Sequence, residues 1–231
     1  MKYFFSFLCF LLIFACQNSA PEQAPKQEIA KPTVAEKIES IESNKKRIVF
    51  FGNSLSAAYG LENKKDGFVG LIRSRIDSLG LEYEVVNAGL SGETTGGGVN
   101  RVDWVISEPV DIFVLELGGN DALRGLEPEV AEQNLQKIID KVKTKYPEVQ
   151  IVLAGMQAPQ NLGNEYTDRF AKIYPDLAKK NAAALIPFLL EQVGGVASMN
   201  LPDGIHPNLQ GHRIVAENVW ETLEEVIQVA R

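Results

Sequence analysis

The sequence predicts an α/β fold, a single three-layer domain with a parallel sheet over residues 47–231. Three observations predict it. Short apolar, β-rich runs alternate with stretches of helical periodicity from Arg47 to the C-terminus. The runs at 48–51 and 112–115 are continuously apolar, as in strands covered on both faces. Three of the runs end in loops of small polar residues and glycine, the places where open α/β sheets hold ligands.

The chain starts differently. Lys2 precedes a nearly unbroken apolar run from Tyr3 to Ala15. That run is too short to span a bilayer and has the charge pattern of a secretory signal. Ile13-Phe14-Ala15-Cys16 resembles the lipobox of bacterial lipoproteins, although Phe14 is unusual at its position. The resemblance implies cleavage before Cys16 and lipidation of Cys16. The organisation expected is a signal peptide at 1–16, a flexible linker at 17–46 and the domain at 47–231. The linker is rich in Gln, Glu, Lys, Pro and Ala and almost free of aromatics, so it cannot bury a core.

Within the domain, Ile48 to Phe51 predict a buried strand, and Gly52 breaks it. Asn53 and Ser54 suit a tight turn that opens a helix. A helix is expected over 67–79, with Phe68, Leu71, Ile72, Ile76 and Leu79 on one side. A short strand follows at 83–86. Residues 87–98 read as a Gly/Ser/Thr loop entering a helix toward Ile106. The strand at 111–117 ends in Gly118-Gly119-Asn120-Asp121. Pro128 suits the first turn of a helix carrying Ala131, Leu135, Ile138 and Val142. Then come a strand at 150–154, a helix at 165–180, a strand at 183–186 and an amphipathic helix at 209–230.

Composition narrows the chemistry. The formal net charge of −7 argues against nucleic acid as a partner. Both cysteines, Cys9 and Cys16, precede the domain, which leaves no thiolate nucleophile or thiolate metal site in it. With only His206 and His212, a multi-histidine metal centre is excluded, and a histidine base must be one of the two. His212, at the start of the last helix, reads as a solvated helical residue.

In a parallel sheet the loops carrying Ser54, Gly92 and Asn120 open on one edge. Ser54 there is either a nucleophile or a helix cap. A Gly92 N–H and the Asn120 amide near Ser54 would make an oxyanion hole for acyl transfer. Asp203-Gly204-Ile205-His206, just before the last helix, could supply a base and the acid that orients it. On spacing alone His206 could equally be a surface histidine and Asp203 a turn former. The glycines from Gly92 to Gly98 lack the Gly-Lys-Ser/Thr ending of a nucleotide-binding P-loop.

Gly52-Asn53-Ser54-Leu55, Asn87-Ala-Gly-Leu-Ser-Gly92-Glu-Thr, Gly118-Gly119-Asn120-Asp121 and Asp203-Gly-Ile-His206-Pro together resemble the four blocks of the SGNH (GDSL) hydrolases, in the branch of bacterial arylesterases, acyl thioesterases and lysophospholipases. The resemblance covers nearly all of 47–231. It implies a flavodoxin-like sandwich and no cofactor. It matches Ser54 to the nucleophile and one oxyanion donor, Gly92 and Asn120 to the other donors, His206 to the base and Asp203 to its orienting acid. Asn53 stands where the family usually has Asp; it keeps the size and an oxygen acceptor but loses the charge. The expected function is hydrolysis of carboxylic or thioesters through an acyl-enzyme on Ser54. The loop at 155–165 is expected to wall the acyl pocket. The alternatives are a carbohydrate O-acetylesterase and an anchored binding protein on the same scaffold. The expected partners are an ester substrate and, through Cys16, a membrane of the bacterial cell envelope, with the domain a monomer facing the periplasm or the exterior.

Overall fold

A computed structural model describes residues 45–229. The expectations for the signal peptide, Cys16 and nearly all of the linker lie outside the described residues.

Five strands form one parallel sheet: β1 (Lys46–Gly52), β2 (Tyr83–Gly89), β3 (Ile112–Glu116), β4 (Gln150–Ala154) and β5 (Ala184–Ile186). Their order is β2-β1-β3-β4-β5, with every pairing parallel. The helices are α1 (Phe68–Ser78), α2 (Thr95–Val105), the short α3 (Gly119–Leu123), α4 (Pro128–Lys145), α5 (Asn164–Asn181) and α6 (Leu209–Val229). Helix α1 packs on α6, while α4 packs on both α2 and α5. The apolar strands account for the core. Ile48 to Phe51 and Ile112 to Leu115 are at most 1% exposed, as strands covered on both faces must be. The predicted α/β sandwich is therefore the observed fold.

The topology positions the site. From β1 the chain moves one way to β2, then crosses to the other side for β3. The carboxyl ends of β1 and β3 therefore flank the switch point, where open α/β sheets leave a crevice. Ser54 follows β1 and Asn120 follows β3.

Three local expectations are corrected. No α-helix starts after Ser54; residues 54–60 form consecutive turns. Ala57 N–H reaches Asn53 O at 3.0 Å and Tyr59 N–H reaches Ser54 O at 2.9 Å. Ala58 then adopts φ 52° and Gly60 φ 77°, left-handed values that stop helix propagation. The second correction is His212, which is 1% exposed rather than solvated. Its Nδ1 accepts from the Phe68 N–H at 3.2 Å. Phe68 opens α1 behind Gly67, which offers no side-chain cap, so the imidazole satisfies an otherwise orphaned helix donor. Strand β2 also runs on to Gly89, beyond the expected 86, because Asn87, Ala88 and Gly89 stay in register with Phe50, Phe51 and Gly52.

Candidate active site

Gly52 ends β1 and turns the chain into Asn53 and Ser54. Glycine is required there. A Cβ would sit 2.2 Å from Ser56 Oγ and 2.4 Å from Glu116 Oε2. The turn places Ser54, 8% exposed, with Oγ 2.9 Å from His206 Nε2. His206 Nδ1 lies 2.8 Å from Asp203 Oδ2. Asp203 Oδ1 also accepts the backbone N–H groups of Ile205 at 2.9 Å and His206 at 3.0 Å. These backbone bonds, followed by the imidazole contact, hold the Asp203 carboxyl down at about 2, so it is ionised at neutral pH. An ionised acceptor at Nδ1 keeps the proton on that nitrogen and leaves Nε2 free to accept from Ser54. The exposed ring of Tyr59 lies against the imidazole, with centroids 4.5 Å apart.

The loops after β2 and β3 are tied together. Asn120 Nδ2 donates to Glu93 O at 3.0 Å, and Arg124 donates to Gly92 O at 2.8 Å. Asp121 is buried and accepts from Thr95 N at 2.9 Å and Thr95 Oγ1 at 2.6 Å, which anchors the start of α2. Arg101 pairs with the buried Glu93 carboxylate, and its guanidinium lies 4.3 Å from the centre of the Phe51 ring. Gly92 has φ 82°, a conformation that disfavours any side chain. Among the described residues, the backbone N–H groups of Ser54 and Gly92 have no protein acceptor, and Asn120 Nδ2 has one N–H left over.

Ser54, Asn120 and His206 line one cleft of about 650 Å³. Asp203 joins them through His206. Gly92 is exposed and does not line the cleft; it sits beside Glu93, whose carbonyl holds Asn120. The expected wall from the loop after β4 is present in Met156 to Gln160, and sequence reasoning missed Phe188 and Leu190, which also line the cleft. It also missed Glu116, Tyr59, Arg101 and Arg124. The only sequence signal for Glu116 is a carboxylate ending an otherwise apolar strand.

Glu116 is 1% exposed and lies directly beneath the Ser54 turn. Burial pushes its carboxyl up to about 7, against the pull of hydrogen bonds from Asn53 and Ser56.

A serine hydroxyl bonded to an imidazole, the imidazole bonded to a carboxylate and an unclaimed set of N–H donors make an arrangement suited to acyl transfer. The comparisons agree with it. Residues 50–214 match the model of the GDSL-like Lipase/Acylhydrolase family. Esterase TesA of Pseudomonas aeruginosa is 40% identical over 181 residues, 78% of this chain and 89% of that protein. Thioesterase 1/protease 1/lysophospholipase L1 of Escherichia coli K12 is 34% identical over 181 residues, 78% of this chain and 84% of that protein. The crystal structure of TesA superposes with a TM-score of 0.74 at 40% identity, covering 78% of this chain and 99% of that one. With four sequence blocks, a parallel sheet and a family match across most of its length, the chain belongs to the GDSL-like lipase/acylhydrolase (SGNH) family.

Proposed function

We propose that this serine esterase hydrolyses carboxylic esters and thioesters with acyl chains through an acyl-enzyme on Ser54. The carrying observation is the continuous bond chain Ser54–His206–Asp203 at 2.9 and 2.8 Å. His206 Nε2 takes the Ser54 proton as Oγ attacks the carbonyl carbon, and Asp203 steadies the imidazolium. The N–H groups of Ser54 and Gly92 and the Asn120 amide stabilise the oxyanion. His206 then protonates the leaving alcohol or thiol. Water, deprotonated by the same nitrogen, releases the acid and restores Ser54.

The cleft favours acyl substrates. Leu55, Leu123, Met156, Phe188, Leu190 and Ile205 give the cleft that holds Ser54 an apolar lining. The names of the two relatives, esterase and thioesterase/lysophospholipase, fit the same substrate class. The lipobox-like run ending at Cys16 supports attachment of the domain to a cell-envelope membrane through lipid. No helix among the described residues is long and apolar enough to cross a membrane.

The test is hydrolysis of p-nitrophenyl esters from acetate to palmitate by the full chain and by Ser54→Ala. Activity that disappears in the variant, and rises with chain length beyond acetate, is expected. Undiminished activity in Ser54→Ala would refute the assignment. Preference for acetate alone would move the reading toward a short-acyl esterase.

A further inference from the structure

Glu116 is a buried carboxylate that the mechanism above leaves without a task. It ends β3 opposite Gly52 in the sheet register. Among the described residues it forms no ion pair. A carboxylate buried without a cation is costly and survives only where hydrogen bonds compensate. Here four do, and all come from the residues flanking Ser54. Oε2 accepts from Asn53 N at 3.0 Å, Ser56 N at 3.3 Å and Ser56 Oγ at 2.8 Å. Oε1 accepts from Asn53 Nδ2 at 2.7 Å.

The last bond decides which way the Asn53 amide faces. With Nδ2 committed to Glu116, Oδ1 points to the nucleophile's side of the turn. There it accepts from Leu55 N at 3.0 Å and lies 3.3 Å from Ser54 Oγ. A flipped amide would set its NH₂ against the Leu55 N–H and its oxygen against the Glu116 carboxylate. Both contacts would be repulsive in a buried site.

We propose that Glu116 is a positioning residue for the nucleophile: acting through Asn53, it supplies Ser54 Oγ with a second, uncharged acceptor beside His206. The inference rests on Ser54 being the nucleophile. When His206 is neutral, the Ser54 hydroxyl donates to Nε2 and is ready to attack. When His206 carries a second proton, Nε2–H donates to Oγ, and the serine's own hydrogen turns to Asn53 Oδ1. In both states Oγ keeps its place, because both of its partners are fixed from behind, His206 by Asp203 and Asn53 by Glu116.

The pair can be inverted without changing its shape. In Asn53→Asp/Glu116→Gln, the Gln oxygen takes the place of Oε2 and keeps its three donors. The Gln NH₂ takes the place of Oε1 and donates to a carboxylate oxygen of the introduced aspartate, standing where Nδ2 stood. Glu116→Gln alone breaks the match, because it faces NH₂ with NH₂. Asn53→Asp alone keeps the bond, because a proton held on Glu116 bridges the two carboxyls.

The experiment measures kcat and KM on p-nitrophenyl butyrate at pH 8 for the full chain, both single variants, the double variant and Ser54→Ala. The rate of Ser54 labelling by a fluorophosphonate is followed in parallel, since it needs no knowledge of the natural ester. Glu116→Gln is expected to lose about tenfold or more in kcat and in labelling rate, the order of one unsatisfied buried hydrogen bond, with KM within about twofold, while Asn53→Asp is expected to stay within about threefold of the parent. The double variant is expected to recover to within about threefold of the parent, a coupling that only contacting residues show. Should Asn53→Asp fail to fold, Glu116→Gln and the double variant carry the comparison. A Glu116→Gln protein within twofold of the parent, or a double variant no faster than the slower single, would overturn the proposal. A parent whose Ser54 is not labelled would instead overturn the functional reading beneath it.

Discussion

Protonating His212 should cost this enzyme its acid stability. The ring is buried, lies 6.3 Å from Phe68 centroid to centroid, and accepts the Phe68 N–H through Nδ1. Burial first, then the charges of His206 and Lys64, lower its pKa to about 4 from the ordinary 6.5. The folded state therefore keeps the ring neutral where the unfolded chain already binds a proton. Stability is flat above about pH 6.5, falls as pH drops toward 4, and levels off below that. The gap between those two pKa values, at about 1.4 kcal/mol per pH unit, makes the full loss about 3 kcal/mol, with about 2 kcal/mol gone by pH 5. The assay is urea unfolding at pH 7.5 and pH 5.0, followed through the buried Trp220. His212→Asn is the control, because its Oδ1 can accept the same N–H but takes no proton. Carboxylates that titrate in this range contribute equally to both proteins and cancel. The parent should lose about 2 kcal/mol more than the variant between the two pH values. Equal losses would refute the reasoning.

Three other perturbations have defined outcomes. Asn120→Ala should lower kcat by about 10²–10³, the loss of one oxyanion donor, with a stability loss in urea of only about 1 kcal/mol from its bond to Glu93 O; near-parent turnover would remove Asn120 from the hole. Tyr59→Leu should lower kcat/KM about two- to fivefold, the size of an exposed ring–cation contact against a protonated imidazole, while Tyr59→Phe should match the parent in the same steady-state assay. Gly118→Ala should destabilise by about 3 kcal/mol in urea, because Gly118 has φ 113° and a Cβ there would lie 2.2 Å from Tyr174 Oη. The Tyr174 hydroxyl, which donates to Leu117 O at 2.8 Å, has little room to retreat.

The layered fold was legible because buried parallel strands leave long apolar runs, and β4 falls where those runs predict it, at Gln150–Ala154. The contact of Ser54 with His206 and of His206 with Asp203 was legible through their blocks, since all three sit in turns whose residue types suit the geometry. What escaped was set by distant partners. Asn53 and Ser54 carry the local signal of a helix start, but nothing local tells that Ala58 will take a left-handed conformation. Asn87 has the composition of a loop, yet its Nδ2 donates to Ser56 O at 2.7 Å and its backbone stays in the sheet. His212 follows the polarity of an exposed helix start, and its burial depends on Phe68, 144 residues away. Glu116 was invisible for a related reason: a carboxylate at a strand end looks solvated until the turn above it supplies four donors.

The distance along the chain between Ser54 and His206 also sets a timetable. The two atoms that must touch are separated by 152 residues. At ordinary rates of protein synthesis, the ribosome makes the serine roughly 8–30 seconds before the histidine. On the proposed mechanism, the growing polypeptide through that interval carries a nucleophile with no proton acceptor. A chain that stalls or terminates before Asp203 never acquires one. Hydrolytic capacity therefore arrives in a single step near the end of translation, and prematurely ended fragments are harmless to any ester around them.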